Sequence, residues 1–138
     1  MENGYDLITG ITNFAMSFGI SLVLLLVFKL LFAFVTPHDE WKLIKEDRNT
    51  AAAIGFGGAV IGFAVALAGA VSNSGGIVDF AIWGGIALVA QLLAFAIVRF
   101  AFMPKIVKRI EDNEISAGVI LASTNIAVGL LNAASMTY

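Results

Sequence analysis

Four apolar stretches, each longer than 20 residues, limit what this chain can become: about Asn13 to Thr36, Thr50 to Val71, Asp79 to Phe102 and Ile115 to Met136. A helix needs about 20 apolar residues to cross the ~30 Å hydrocarbon layer of a bilayer. Lipid offers backbone N–H and C=O groups no partners, so each stretch is expected to be helical. A membrane β-barrel would alternate polar and apolar residues along strands of ~10 residues, and nothing here alternates. Of the 138 residues 59% are apolar and only 13% are charged, with a mean hydropathy of +0.93. Too few polar side chains remain to clothe a soluble fold, so lipid is expected to cover much of the surface. The predicted class is an all-α integral membrane four-helix bundle.

The breaks between the stretches are sharp. Thr36-Pro37 and Met103-Pro104 end the first and third, Ser72-Asn73-Ser74-Gly75-Gly76 is a turn cluster after the second, and Asp79 is placed to cap the third helix. Orientation follows from the basic residues. Lys42, Lys45 and Arg48 sit in the connector after the first helix, and Lys105, Lys108 and Arg109 in the connector after the third; the tails and the 72–78 turn carry none. The positive-inside rule then predicts cytoplasmic connectors and both termini outside. The start, Met1-Glu2-Asn3-Gly4-Tyr5-Asp6, is acidic where a cleavable signal is basic, and the apolar run after it is too long for a signal core.

The halves also repeat. A shift of 65 residues lays Glu46-Asp47 on Glu111-Asp112, Gly19 on Gly84, and Ile54, Ile61 and Ala68 on Val119, Ile126 and Ala133. Each half reads apolar run, proline, basic residues, Glu-Asp, then a helix rich in small residues. A two-helix unit returns the chain to its starting side, so the copies should have parallel topology about an axis near the membrane normal. The expected plan is an outer tail 1–12, a first helical-hairpin repeat 13–71 (spans 13–36 and 50–71), an outer turn 72–78 and a second repeat 79–138 (spans 79–102 and 115–136). Each connector should also hold a short surface helix, the first with Thr36 as cap and Pro37 at its first position.

Composition excludes several chemistries. There are no cysteines and one histidine, so thiolate sites, disulfides and multi-histidine metal centres are ruled out. No basic excess invites nucleic acid. The only histidine and all the acids lie outside the span cores, which argues against an intramembrane enzyme, because acid–base work needs titratable groups within reach of one another. No cofactor is expected.

Three groups of residues remain as candidates. Ala51, Gly55, Gly58, Gly62, Ala66 and Gly69 form a stripe of small residues on one face of the second span, suited to close helix packing within the chain or to a homodimer interface. Gln91, Asn125 and Asn132 are amides within the spans, either glue between helices or a polar track with Lys29 or Arg99 at its mouth. The long stems of Lys29 and Arg99 allow both charges to snorkel to the nearby interface. At the surface, His38, Asp39, Glu40, Trp41, Glu46, Asp47, Glu111 and Asp112 are candidates for docking a cytoplasmic partner. His38, Asp39 and Glu40 read first as a solvated helix cap, and the two Glu-Asp pairs as charges balancing Lys45 and Arg109.

Several stretches look familiar: Thr36-Pro37-His38 with Glu40-Trp41, Asn49-Thr50-Ala51-Ala52, Trp83-Gly84-Gly85-Ile86-Ala87-Leu88, Gln91-Leu92-Leu93, and Asn132-Ala133-Ala134 followed by Met136-Thr137. In order and spacing, from Asn13 onward, they resemble the YjfL-like family of bacterial inner-membrane proteins, a domain-of-unknown-function family. The resemblance implies four spans, a doubled domain and an association by gene context with envelope stress. It transfers no catalytic or binding residue. The expected function is a structural or interaction component of an envelope or membrane-stress system in the inner membrane; the alternative is an oligomeric channel or transporter for an ion or small solute, its path lined by amides of the third and fourth spans.

Overall fold

The computed structural model describes residues 3–136. Met1, Glu2, Thr137 and Tyr138, at the ends of the expected outer tail and second repeat, lie outside the described residues. The described chain is all helical: α1 (Asn3–Val35), α2 (Glu40–Lys45), α3 (Thr50–Asn73), α4 (Ile77–Ile97) continued by a π-helical turn (Val98–Phe102), α5 (Ile106–Glu111) and α6 (Ile115–Ala134). Four segments are long and apolar enough to cross a bilayer: Asp6–Val35, Thr50–Asn73, Ile77–Phe102 and Ile115–Ala134.

The helix ends show what the local sequence does. Asn49 caps α3, its side-chain oxygen accepting from the Ala52 amide at 2.8 Å, which meets one of the amides orphaned at a helix start. Thr36 does not cap α2. Its hydroxyl donates back to the Phe32 carbonyl at 2.9 Å, and Asp39 caps instead, accepting from the Lys42 amide at 3.1 Å. Pro37 therefore lies in the bend before α2 rather than at its first position. Asp79 lies inside the first turn of α4, whose N-cap is Gly76, and its carboxylate accepts from the Gly75 amide at 2.9 Å. The π turn closes with the Met103 amide donating to the Val98 carbonyl, five residues back, at 2.7 Å. Pro104 has no amide with which to continue the α ladder, and the widened turn ends the helix there.

α3, α4 and α6 form the centre, and α1 lies along their flank. α3 and α6 run side by side in the same direction: Ala51 meets Gly118, Gly58 meets Ala122, Gly62 meets Gly129, and Gly69 meets Ala133. A Cβ built on Gly69 would sit 2.7 Å from Ala133, and one on Gly58 would overlap the Ala122 backbone. The missing side chains let the backbones touch, and in lipid, where no hydrophobic drive joins helices, that van der Waals contact holds the pair.

α1 is held mainly by aromatic packing near its C-terminal end. Phe28 stacks on Phe63 of α3 with centroids 4.7 Å apart, and Phe32 meets Phe95 of α4 edge-on at 6.4 Å. Leu24 of α1 also lies against Gly84 of α4, but most of α1 is open: 11% of its most apolar window is buried, against 44% for α3. At 33 residues α1 is about 50 Å long, against about 36 Å for α3. It starts ten residues ahead of the apolar stretch. Asn13 and Ser17 lie beside Ser74, Gly75 and Gly76 of the α3–α4 turn, so the residues before Asn13 project past that turn. No proline interrupts them, and a helix once nucleated extends readily.

At the opposite end the two connectors are tied together. Asn49 donates its side-chain amide to the Ile110 carbonyl at 2.7 Å, and the Ala51 amide donates to the Asn113 side-chain oxygen at 3.0 Å. Arg48 and Asn113 immediately precede the caps of α3 and α6 and adopt left-handed backbone, with φ of 54° and 60°.

Candidate functional site

The small-residue stripe has a definite partner. Gly55, Gly58, Gly62 and Gly69 all face α6 of the same chain, and Ala66 is fully buried. A homodimer through this face is therefore corrected: α6 already occupies it. The sequence showed the stripe but not its partner, because small residues fit either.

The amides sit at the junction of α3, α4 and α6. Asn125 is fully buried. Its side chain donates to the Leu121 carbonyl of its own helix at 2.9 Å, and its backbone carbonyl accepts from the Gln91 side chain at 2.7 Å. Asn132 donates to the Ala87 carbonyl of α4 at 3.0 Å. Thr124 bonds back to Ile120. The Gln91–Asn125 and Asn132–Ala87 bonds cross-link α4 and α6, each worth about 1 kcal/mol in such a setting, while the other two stay within α6. Two oxygens, Gln91 Oε1 and Asn125 Oδ1, are buried with no hydrogen-bond partner among the described residues.

Lys29 and Arg99 both lie towards the connector end. The Lys29 ammonium sits over the Trp41 ring, 4.5 Å from its centroid, and Arg99 lies in the π turn, 5.8 Å from the centroid of Phe100. The amides and these cations do not converge: Asn132 bonds α4 near its middle, whereas Lys29 reaches α2.

The surface candidates divide. Asp39, Trp41, Glu46, Asp47, Glu111 and Asp112 are exposed. Asp47 pairs with Lys42 at 3.6 Å and Asp112 with Lys108 at 3.2 Å, while Arg109 turns to Glu114 at 3.0 Å. The expected partners Lys45 and Arg109 are thus replaced by near neighbours, in exposed pairs that contribute little. His38 and Glu40 are not a solvated cap, and their side chains do not face a docking partner. Both are buried, at 3% and 6% exposure. The bend at Thr36-Pro37 folds the chain back so that the His38 ring lies 6.0 Å from Phe95. His38 Nε2 is 3.0 Å from Glu40 Oε1, yet the alignment is poor, and neither ring nitrogen nor either carboxylate oxygen has a well-formed hydrogen bond among the described residues. The pair borders a cavity of about 360 Å³ whose wall includes Lys29, Leu30, Ala33 and Trp41. Hydropathy could not reveal this burial, because both residues score as surface types. Asn49 and Asn113 were also missed as connector clamps, although Asn49, directly before α3, carries a recognisable cap signal.

Four apolar helices, packed through glycine and buried amides and clamped at one end, define a multi-pass helical membrane protein. The chain belongs to the family described as Domain of Unknown Function (DUF350), which matches residues 6–136. Among its relatives are the UPF0719 inner membrane protein YjfL of Escherichia coli strain K12 and that of Escherichia coli O157:H7. Each is 40% identical over 125 residues, covering 91% of this chain and 93% of the relative. No solved structure matches the chain.

Proposed function

We propose that this protein is a non-enzymatic scaffold of the inner membrane that presents a rigid charged platform to a cytoplasmic protein partner. The observation that carries the reading is the clamp between connectors, in which Asn49 reaches Ile110 and Asn113 reaches Ala51. Two short helices that would otherwise move separately are joined into one surface bearing Glu46, Asp47, Glu111 and Asp112. The six connector cations support a cytoplasmic position for this surface and outside positions for both termini. A duplicated hairpin is supported by two features: Arg48 and Asn113 are 65 positions apart, the shift that aligns the halves, and share left-handed backbone; α3 and α6 run in the same direction. The inner-membrane relatives support the location, and the resemblance noted from the sequence associates the process with envelope stress. Self-association belongs to this reading, with the open face of α1 as its surface.

Photo-crosslinkers placed at Glu46, Asp47, Glu111 and Asp112 in living cells test it. Adducts with a soluble protein, lost on joint charge reversal of the four acids, are expected. Crosslinks to lipid alone would end the proposal. The channel alternative is favoured by one observation, the unpaired Gln91 and Asn125 oxygens, which would suit a wet path. Liposome flux that falls in Asn125→Leu and Asn132→Leu would support it; vesicles that stay tight would remove it.

A further inference from the structure

We infer that the cavity between the end of α1 and α2 is a binding site for a phospholipid whose head group carries a phosphate and a primary ammonium. The cavity is small, about 360 Å³, and chemically divided. Leu30 and Ala33 of α1 form an apolar side, and Leu30 is 59% exposed, continuous with the lipid-facing surface of that helix. Lys29 brings a cation to the wall, Glu40 and His38 an acceptor-rich polar group.

Its depth matches a head group. Lys29 is seven residues from Thr36, about 10 Å along the helix from its end. Trp41, half in the wall and 44% exposed, is the residue type that settles at the membrane–water interface. Its ring face already holds the Lys29 ammonium at 4.5 Å, which fixes that charge beside the cavity.

The unmet groups select the ligand. The Glu40 side chain is 5% exposed and the His38 side chain 0%, and although His38 Nε2 stands 3.0 Å from Glu40 Oε1, none of their four polar atoms has a well-formed hydrogen bond among the described residues. A buried acceptor without a donor is costly. A carboxylate has about four lone-pair sites and a primary ammonium three N–H donors, so the two are complementary. A phosphate in the same head group is drawn to Lys29. A trimethylated ammonium has no N–H to give, and the Trp41 face that would attract it is occupied. A head group with phosphate but no cation would set its charge beside Glu40. The site therefore discriminates by donors, and the acyl chains lie along Leu30 and Phe34, the latter 86% exposed. The assignment depends on the four spans but not on which side the connectors face, nor on any protein partner, so it can fail or succeed separately from the scaffold reading.

The test uses the full-length protein in nanodiscs of defined composition, with native mass spectrometry to count retained lipid and thermal melting to report occupancy. Phosphatidylethanolamine and its mono-, di- and trimethylated forms remove one donor at a time without altering the protein. Retention is expected to fall along the series, by about tenfold or more from first to last, as expected for losing hydrogen bonds to a charged group. Glu40→Gln should flatten the series; Lys29→Met should weaken all four lipids alike. Equal retention across the series in the wild type would overturn the assignment, whether or not Glu40→Gln folds. So would protection by free phosphoethanolamine with no retention of the lipid, which would make the ligand a soluble compound.

Discussion

Gly62 lies where three helices meet, and adding one methyl group there tests the packing directly. A Cβ on Gly62 would sit 2.7 Å from the Asn125 carbonyl carbon and 2.7 Å from Gln91 Nε2, and would overlap the Asn125 carbonyl oxygen. Two of these neighbours are backbone and cannot swing away. Relief requires α3 and α6 to separate, and overpacking of this kind costs about 1–3 kcal/mol. The methyl also displaces the Gln91 amide from its 2.7 Å bond to Asn125, a further loss of about 1 kcal/mol. Gly62→Ala should therefore destabilise the fold by about 2–4 kcal/mol. Gly57, five residues earlier on the same helix, is the matched control, since a Cβ there has nothing within 4 Å. Gly57→Ala should be neutral or stabilising by up to about 1 kcal/mol, the intrinsic helix preference of alanine. Reversible unfolding in mixed micelles, followed by tryptophan fluorescence, measures both. If the two variants unfold at the same denaturant concentration, the close contact between α3 and α6 is wrong.

Three further substitutions probe the clamp and the flank. Asn49→Ala removes both the α3 cap and the bond to Ile110, and should cost about 2 kcal/mol in the same unfolding assay; a loss under about 0.5 kcal/mol would refute the clamp. Arg48→Gly should stabilise by about 0.5–1 kcal/mol, because φ of 54° strains a side-chain-bearing residue; a loss of stability would contradict that backbone assignment. Phe28→Ala removes a fully buried ring stacked on Phe63 and should cost about 3–5 kcal/mol. It should also raise proteolysis at the Thr36–Asp39 bend, with unchanged cleavage arguing that α1 is held elsewhere.

The spans were readable because the bilayer makes a single demand, twenty or so apolar residues in a helix, and the chain meets it four times. What hydropathy does not encode is which neighbour a face meets. The stripe on α3 was visible, but its partner, α6 of the same chain, depends on how four helices are arranged about one another. His38 and Glu40 show the opposite failure. Their chemistry suggested water, and the bend at Thr36-Pro37 buried both, His38 against Phe95. The amides were placed on the correct helices as candidates, while their acceptors, the Ala87 and Asn125 carbonyls, are backbone groups that no side-chain pattern reveals. The early start of α1 was missed because polar residues thin the apolar signal there without breaking the helix.

The pairing of α3 with α6 also constrains how the protein is made. The glycine face of α3 is made before its mate, because α4 and α5 come between α3 and α6 in the chain. Until α6 follows, that face lacks its partner, whereas the aromatic socket of α1 is complete earlier, once Phe95 of α4 has followed Phe63 of α3. Assembly is thus decided late, and a chain stopped before residue 115 would insert its spans yet leave the central seam open.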